Sequence, residues 1–263
     1  MKSPSKARSK VVDKRVKPGR IQAVLKTLGI EIAQNVIPVG ASLPPEYDLE
    51  VRFGVGRGVI RETIKTLAAK GLVSVRPRHG TQVRPRGDWS LLDRDVLSWL
   101  LGKGEPNREL LLAIQEVRSI IEPAAAALAA VRATAADRKC INAALAAMET
   151  SHNQASAIEA DKAFHLAIID ATHNPVLQGF RGAIDTILST VFLVATGTAG
   201  WFDENLPNHA AAARAIDEGN AEKARAAMQQ VLNYTQLRLA NKKAARRKQA
   251  ARNANPKRKR QTS

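Results

Sequence analysis

Cysteine and aromatic residues are scarce in this sequence, and both shortages narrow what the protein can be. The chain of 263 residues has one cysteine, Cys140, which excludes an internal disulfide framework and a cysteine-rich zinc finger. Aromatic residues make up 4% of the chain, and the abundance of alanine and leucine favours helix over strand. No apolar run is long enough to cross a membrane, and the basic N-terminal segment lacks the apolar core of a signal peptide. These features predict a protein of the reducing cytoplasm.

Acidic residues are outnumbered, and the positive charge is concentrated at the two ends. The chain has 41 lysine and arginine residues against 24 aspartate and glutamate residues, a formal net charge of +17. Residues 1–20 carry +7 and residues 238–263 carry +11, which together slightly exceed the net charge of the chain, whereas 21–87 are mildly basic and 88–237 are net acidic. The distribution predicts that the N-terminal half contacts a polyanion such as nucleic acid. The ends are expected either to be solvated, disordered tails or to add salt-dependent attraction to phosphates.

Three short helices and a hairpin are predicted in the first third of the chain. Apolar residues recur at helical spacing over residues 21–32, and a second short helix opens at the two prolines of 44–54. A third helix is predicted over 57–70, followed by a glycine that suits its C-terminal end. Two segments of alternating polarity, 72–76 and 81–84, flank a turn. This order of elements is that of a winged helix-turn-helix.

The rest of the chain is predicted to be almost wholly helical. Helical segments are expected near 93–103, 107–130, 134–150, 154–172, 175–197, 203–218 and 220–240. No repeat of solenoid length occurs, so we expect a compact bundle of six or seven helices. The fold class is therefore mainly α, with an N-terminal winged helix-turn-helix and a C-terminal all-helical bundle.

The third predicted helix has the character of a recognition helix. Arg57 and Arg61 are four residues apart near its start, so they project from one face, while Val59, Ile60 and Ile64 form an apolar opposite face. Two guanidinium groups at this spacing suit guanine edges or phosphates in the major groove of DNA. The alternative is a solvated basic helix face in which Arg61 pairs with an acidic residue.

The N-terminal third resembles the winged-helix domain of GntR-family transcriptional regulators. The resemblance is carried by residues 43–49 (LPPEYDL), 53–62 (FGVGRGVIRE), 71–73 (GLV) and 79–83 (HGTQV). It implies that double-stranded operator DNA is contacted by Arg57, Gly58, Arg61, Tyr47, Arg78, His79, Gly80 and Thr81. Two positions depart from the family pattern, because Gly56 replaces a serine or threonine and Tyr47 replaces an arginine. The first departure removes a phosphate contact that a hydroxyl could make, and at the second the arginine with which the family often reads a base is absent.

The helical half resembles the effector domain, often called FCD, of the FadR-type branch of that family. The resemblance rests on residues 116–118 (EVR), 122–123 (EP), 161–165 (DKAFH), 174–175 (NP), His209 and 215–216 (AI). A narrower likeness, in residues 89–99 and 173–178, is to members that control sugar-acid operons. It implies a repressor that binds a small carboxylate, such as a sugar acid, and acts as a homodimer.

Asp161 and His165 form a candidate metal site. Their i, i+4 spacing puts a carboxylate and an imidazole on one helix face, where they can share a divalent cation, with His209 as a third ligand. The alternative is a hydrogen-bonded Asp–His pair without metal. The resemblance implies a cation such as Zn²⁺, Ni²⁺ or Mn²⁺. The family's last ligand is a histidine, however, and Val231 stands at that position, so we expect at most three protein ligands.

Three further residues are predicted to contact the effector. Arg118 lies on a mostly apolar helix face and needs a carboxylate partner, which is either Glu122 or the acid group of a ligand. Trp201 and Asn205 are predicted to line the same pocket, although an aromatic residue in a bundle is more often part of the core. The effector site is therefore expected to comprise Arg118, Asp161, His165, His209, Trp201 and Asn205.

The predicted organisation has five parts. They are a disordered basic tail (1–18), a DNA-binding winged helix-turn-helix (19–86), a linker (87–106), a helical effector-binding and dimerisation domain (107–237) and a basic tail (238–263). The predicted protein is a cytoplasmic, nucleoid-associated regulator and not an enzyme, since no nucleophile motif or phosphate loop occurs. Two other classes stay open: a non-specific nucleic-acid-binding protein driven by its basic ends, and a metal-dependent hydrolase using Asp161, His165 and His209.

Overall fold

The chain folds into two compact units. The computed structural model describes residues 18–76, 80–102, 108–195 and 201–254, except for the side chains of 18, 108, 190–195, 201–202 and 239–254. The first unit ends at Ser90 and the second begins at Leu91. Among the described residues, no helix has the length and apolar character that a bilayer crossing requires.

The first unit is a three-helix module with a two-stranded wing, as the sequence predicted. Its elements are α1 (Pro18–Ala33), α2 (Glu46–Phe53), α3 (Arg57–Ala69), β1 (Val73–Arg76) and β2 (Gly80–Val83). The strands pair antiparallel with Val73 opposite Val83, and Ser42 forms a single bridge to Gln82 on the far side of β2. Helix α3 packs against α1, α2 and β1, so it is held on three sides and leaves one face exposed.

Two glycines end the helices of this unit. Gly54 follows α2 with a φ of 60°, and Gly71 follows α3 with a φ of 80°, both in the left-handed region that glycine enters without steric cost. At Gly71 the backbone is also approached closely, because a Cβ there would lie 2.2 Å from the carbonyl oxygen of Asp88. The segment leaving the wing therefore packs on the end of α3, and Ser90 donates its backbone N–H to the carbonyl of Lys70.

The second unit is a helical bundle, and the described part of it contains eight helices. They are α4 (Arg94–Leu101), α5 (Arg108–Arg132), α6 (Ala135–Glu149), α7 (Gln154–Ala171), α8 (Pro175–Gly179), α9 (Arg181–Ala195), α10 (Trp201–Asp217) and α11 (Ala221–Ala254). Helix α5 packs against α7, α10 and α11, while α7 also packs against α6 and α9. Buried alanines on α5 permit this close approach, among them Ala125, Ala126 and Ala129. Helices α5 and α7 therefore lie at the centre of the bundle.

Side-chain caps fix several helix boundaries where the sequence predicted them. Thr134 and Asp137 form a reciprocal capping box at the start of α6, and Asn220 accepts a hydrogen bond from the backbone of Lys223 at the start of α11. One predicted helix is divided: the segment 175–197 forms the short α8 and then α9, with the break at Phe180. Glycines at 179 and 182 flank the break and weaken helical continuity there.

The segment expected to be a linker, 87–106, is largely folded where it is described. Trp89 is buried in the first unit, and its indole N–H donates to the carbonyl of Arg84. Helix α4 packs against α9, with Val96, Leu97 and Leu101 buried. The basic segment from 238 on also differs from a simple tail, because α11 continues without interruption to Ala254.

Candidate functional sites

The exposed face of α3 carries the two predicted recognition arginines. Gly56 precedes the helix in extended conformation and has no side chain to cap it, and Val59, Ile60 and Ile64 are buried beneath it. The side chains of Arg57 and Arg61 are 65% and 53% exposed. Both donate through Nε to the same carboxylate oxygen, Oε2 of Glu46, at 3.2 and 3.1 Å. The acidic pairing considered for Arg61 is thus present, and it includes Arg57.

Glu46 is the residue that the sequence did not mark on this face. Burial raises the pKa of its carboxyl, but the hydrogen bonds and charges of Arg61 and Arg57 outweigh that effect and lower the pKa. Its signal in the sequence was weak, since an acidic residue in the first turn of a helix is common. Only the packing of α2 against α3 places it between the two arginines.

The other residues predicted to contact DNA lie around the wing and α2. Tyr47 is 72% exposed at the start of α2, and Gly58 is exposed in the first turn of α3. Gly80 begins β2 with a φ of 76° and open space around its Cα, and Thr81 beside it is partly buried. The predicted contacts at Arg78 and His79 lie outside the described residues.

A buried polar cluster forms the second candidate site. Asp161 and His165 on α7 and His209 on α10 are each 2% exposed, and one ligand atom of each lies within 4.8 Å of the others. His209 Nε2 is 3.2 Å from Asp161 Oδ1, and His165 Nε2 is 3.5 Å from Asp161 Oδ2. The packing of α7 and α10 thus brings together the three residues that the sequence analysis had grouped.

Each imidazole of the cluster has one ring nitrogen close to an oxygen acceptor outside the cluster. His209 Nδ1 lies 3.0 Å from the carbonyl oxygen of Asn205, which can only accept, so the ring proton sits on Nδ1 and the lone pair on Nε2. His165 Nδ1 lies 2.6 Å from Oε2 of Glu122, although the contact is too bent for a regular hydrogen bond. This tautomer directs the Nε2 lone pair of His209 at the carboxylate of Asp161, and His165 Nε2 lies 3.5 Å from the other oxygen of the same carboxylate.

Three atoms of this cluster make no regular hydrogen bond: Asp161 Oδ2, His165 Nδ1 and His209 Nε2. Buried polar atoms without partners are costly, and a carboxylate repels an imidazole lone pair that faces it. A divalent cation coordinated by the carboxylate and both imidazoles removes that repulsion, and this donor set suits zinc, nickel or manganese. The residues present therefore fit a metal ion. A proton on Nε2 of both rings is the alternative: it would give the Asp161 carboxylate a donor from each imidazole, but it leaves His165 Nδ1 without a partner.

Arg118 lies beside this cluster and is paired with Glu122. Its Nε is 2.6 Å from Glu122 Oε1, and the two side chains are each 2% exposed. Burial raises the pKa of Glu122, but the charge and hydrogen bonds of Arg118, together with the close contact to His165, lower it to about 2, so the carboxylate stays ionised. Gln115, which the sequence did not single out, accepts from Arg118 at 3.5 Å and donates to the carbonyl of Leu232. The internal ion pair expected as one alternative for Arg118 is therefore formed.

The remaining predicted site residues are divided. Asn205 is 4% exposed and donates to the carbonyl of Val231 at 3.2 Å, so it connects α10 to α11 as well as orienting His209. Val231 is itself buried among apolar side chains and offers no side-chain ligand. Trp201 lies at the start of α10, but its side chain is outside the described residues. Phe164 packs edge-to-face on both imidazoles, with ring centroids 5.8 Å from His165 and 5.3 Å from His209.

Comparisons with known proteins match both units. Residues 20–83 match the family described as "Bacterial regulatory proteins, gntR family", and residues 113–234 match the FCD domain. The galactonate operon transcriptional repressor of Escherichia coli strain K12 is 38% identical over 64% of this chain and 74% of its own length. The chain belongs to the GntR family, in the FadR-type branch with an FCD domain. It is a transcriptional regulator and not an enzyme.

One further relative of this GntR-family regulator supports the assignment, and a solved structure shares its fold. An Escherichia coli K12 protein named "Putative L-lactate dehydrogenase operon regulatory protein" is 33% identical over 77% of this chain and 80% of its own length. The solved structure of Lar, which controls the expression of the agr system of Listeria monocytogenes, has 20% sequence identity with this chain. It covers 84% of this chain and 96% of that chain with a TM-score of 0.57, a likeness of fold.

Proposed function

We propose that this protein is a repressor that binds a pseudo-palindromic operator as a dimer and responds to a sugar acid or related carboxylate. In this proposal the effector binds at a divalent cation held by Asp161, His165 and His209. The observation that carries it is the convergence of those three buried side chains, in which Asp161 Oδ2 and His209 Nε2 make no regular hydrogen bond. A bound cation would act as a Lewis acid that attracts an anionic oxygen ligand.

The side chains around the cluster favour a carboxylate effector. Arg118 uses three N–H groups on Glu122 and Gln115, and a guanidinium carries five. The remaining donors suit a carboxylate that arrives beside the cation. Val231 supplies no fourth side-chain ligand, so a coordination position is left for water or for the effector. The two curated relatives are named for the galactonate operon and the L-lactate dehydrogenase operon, and galactonate and L-lactate are both 2-hydroxy carboxylates that can chelate through two oxygens.

The DNA-binding part of the proposal rests on α3. Its buried apolar side fixes the helix in the module, and Arg57 and Arg61 project from the exposed side with Gly58 between them. A dimer would place two such helices about 34–36 Å apart, one turn of DNA. Effector binding would lower operator affinity to the extent that it favours a conformation with a different spacing.

An exposed apolar face on α5 supports dimerisation. Leu112, Val117 and Ile120 lie on one side of this helix and are 39%, 44% and 68% exposed, while the opposite side packs into the bundle. Monomeric proteins seldom leave such a row of large apolar side chains in water. A second copy of the chain would bury it.

A thermal-shift panel tests the effector site. Galactonate, other sugar acids and L-lactate would be tested with Zn²⁺, Ni²⁺, Mn²⁺ or a chelator, on the wild type and on Asp161→Ala. An effector at about 100 times its Kd stabilises by about 2.7 kcal/mol, which shifts the Tm of a unit of this size by about 5–10 °C. We expect such a shift for a hydroxy carboxylate in the presence of metal only, and none in Asp161→Ala.

Glu159→Ala is the matched control, because it removes an exposed carboxylate from the same helix and should keep the response. A ligand response that survives both the chelator and Asp161→Ala would contradict the proposal. A gel-shift series separates the regulator from a non-specific nucleic-acid-binding protein. Binding that ignores sequence and falls steeply with salt would favour the second class.

A further inference from the structure

Glu46 joins the two recognition arginines. Its Oε2 accepts from Nε of Arg57 and from Nε of Arg61, at 3.2 and 3.1 Å. These contacts cross from the first turn of α2 to the first two turns of α3. Both arginine side chains are more than half exposed and that of Glu46 is 37% exposed, so the ion pairs add little to folding stability, since surface pairs contribute about 0–1 kcal/mol. Their geometric effect on the arginines is larger than their energetic effect on the fold.

The contact restricts how each guanidinium can meet DNA. An arginine can present a base with the edge formed by Nε and one Nη, or with the end formed by both Nη atoms. Because Nε is engaged by Glu46 in both arginines, the two-Nη end is the edge left for bidentate hydrogen bonds. Within the part of the chain that the structure describes, neither arginine has another partner through Nη.

We infer that Glu46 is a positioning residue for sequence recognition, which aligns Arg57 and Arg61 in one shared orientation before DNA is bound. The inference rests on the proposed role of these two arginines in reading the operator. Holding both side chains in place lowers the conformational entropy that they lose on binding. A base contact needs a fixed direction, whereas a phosphate contact tolerates a mobile cation.

Because Glu46 is negatively charged, its removal should change non-specific and sequence-specific DNA binding in opposite directions. The trio carries a net charge of +1, and removing the carboxylate leaves +2 facing the DNA backbone. Attraction to phosphates, which does not depend on sequence, should therefore increase, and the salt dependence of binding should steepen. Selective recognition should weaken at the same time, because the arginines are no longer aligned. A residue with a merely structural role would reduce both kinds of binding together.

The test uses the full chain and two duplexes. The first is selected by the wild-type protein from a random-sequence pool, and the second is a scrambled duplex of the same composition. Glu46→Ala and Glu46→Asp are compared with Asp48→Ala, which removes an exposed acid from the same helix turn but contacts neither arginine. Glu46→Asp keeps the negative charge at the start of α2, so that helix stays stable, but its shorter side chain cannot reach both Nε atoms. Arg57→Ala combined with Arg61→Ala is measured beside them.

We expect the ratio of selected to scrambled affinity to fall about tenfold or more in both Glu46 variants, within the range that a lost bidentate base contact gives. Binding to scrambled DNA should be unchanged in Glu46→Asp and stronger in Glu46→Ala, and Asp48→Ala should keep the wild-type ratio. If Glu46→Asp discriminates as the wild type does, or if Asp48→Ala loses the ratio equally, the inference is overturned. If the double arginine variant keeps full discrimination, the proposed role of the arginines fails first. Loss in the arginine variant without loss in the Glu46 variants overturns the positioning role alone.

Discussion

His209 presents a ring nitrogen to the carboxylate of Asp161 across 3.2 Å, in a place where both side chains are 2% exposed. The other ring nitrogen is held by a main-chain carbonyl, so the facing nitrogen carries a lone pair in the neutral ring. Two acceptors at this distance need a positive charge between them. This contact makes the buried cluster a candidate site for a cation. The histidine that the family has at the position of Val231 can therefore be tested as an additional ligand.

Val231→His should increase metal affinity. The substitution supplies the ligand that the family pattern has at this position, so we expect zinc to be retained against a chelator at least about tenfold better than in the wild type. Competition with a chromophoric chelator measures this. Leu232→His, at the next position on α11, adds the same buried ring without the predicted gain. Equal retention of zinc by the two variants would exclude Val231 from the coordination sphere.

Glu122→Gln should destabilise the bundle and change its response to acid. The substitution leaves Arg118 buried without its charged partner, a loss of about 3–5 kcal/mol. Because the folded-state pKa of Glu122 is lowered from 4.5 to about 2, its contribution is present above pH 4.5 and is lost as the pH falls toward 2. Unfolding by denaturant across this pH range should show a shallower loss of stability in Glu122→Gln.

Glu116→Gln provides the comparison, since Glu116 is exposed on the same helix. It should unfold like the wild type at every pH. Identical acid profiles for Glu122→Gln and the wild type would mean that Glu122 is not the ionised partner of Arg118.

Gly56→Ser should strengthen DNA binding. Gly56 is the N-cap of α3 with a φ of −81°, and a Cβ there meets no atom within 4 Å, so serine fits without strain. Its hydroxyl can cap the helix, a gain of a few tenths of a kcal/mol over glycine, and can donate to a phosphate. Fluorescence anisotropy should show tighter binding to selected and scrambled duplexes alike. Gly56→Ala lacks the hydroxyl, and an equal gain in that variant would rule out the phosphate contact.

Gly71→Ala should unfold the DNA-binding unit more easily. Its φ of 80° is unfavourable for alanine, and the added Cβ would lie 2.2 Å from the carbonyl oxygen of Asp88. We expect a loss of about 2 kcal/mol or more, measured by denaturant unfolding. Gly87→Ala, where a Cβ meets open space, should change stability by about 0.5 kcal/mol or less. If Gly71→Ala leaves the stability unchanged, the segment leaving the wing must be able to move away from the end of α3.

Ile120→Asp should dissociate the proposed dimer. A charge in the exposed apolar face of α5 would have to be buried without a partner in the interface. Analytical ultracentrifugation should give the monomer mass, and operator affinity should fall because two half-sites are no longer bound together. Val176→Asp, on the short helix α8, changes an equally exposed apolar residue and should leave the mass unchanged. A dimeric Ile120→Asp would place the interface elsewhere.

Local patterns in the sequence predicted the winged helix-turn-helix and the shared helix face of Asp161 and His165, whereas the inclusion of His209 depends on the resemblance to the family. Apolar periodicity identified α3, and the glycine at 71 marked its end, because both signals depend on residues close in the chain. The pairing of Glu46 with two arginines on another helix could not be read in the same way, since it depends on how α2 crosses α3. Gln115 could not be identified from the sequence for a related reason, because its partner Leu232 lies on α11, far away in the chain.

Phe164 is part of the hydrophobic core and also packs against both imidazoles of the candidate ligand site. Trimming this ring would loosen the bundle and let both imidazoles tilt, so folding and effector affinity would decline together. Attempts to retune the protein toward a new inducer should therefore leave Phe164 intact. Gln115, whose side chain contacts Arg118 beside the cluster and is not part of the hydrophobic core, offers a route to altered selectivity with less risk to the scaffold.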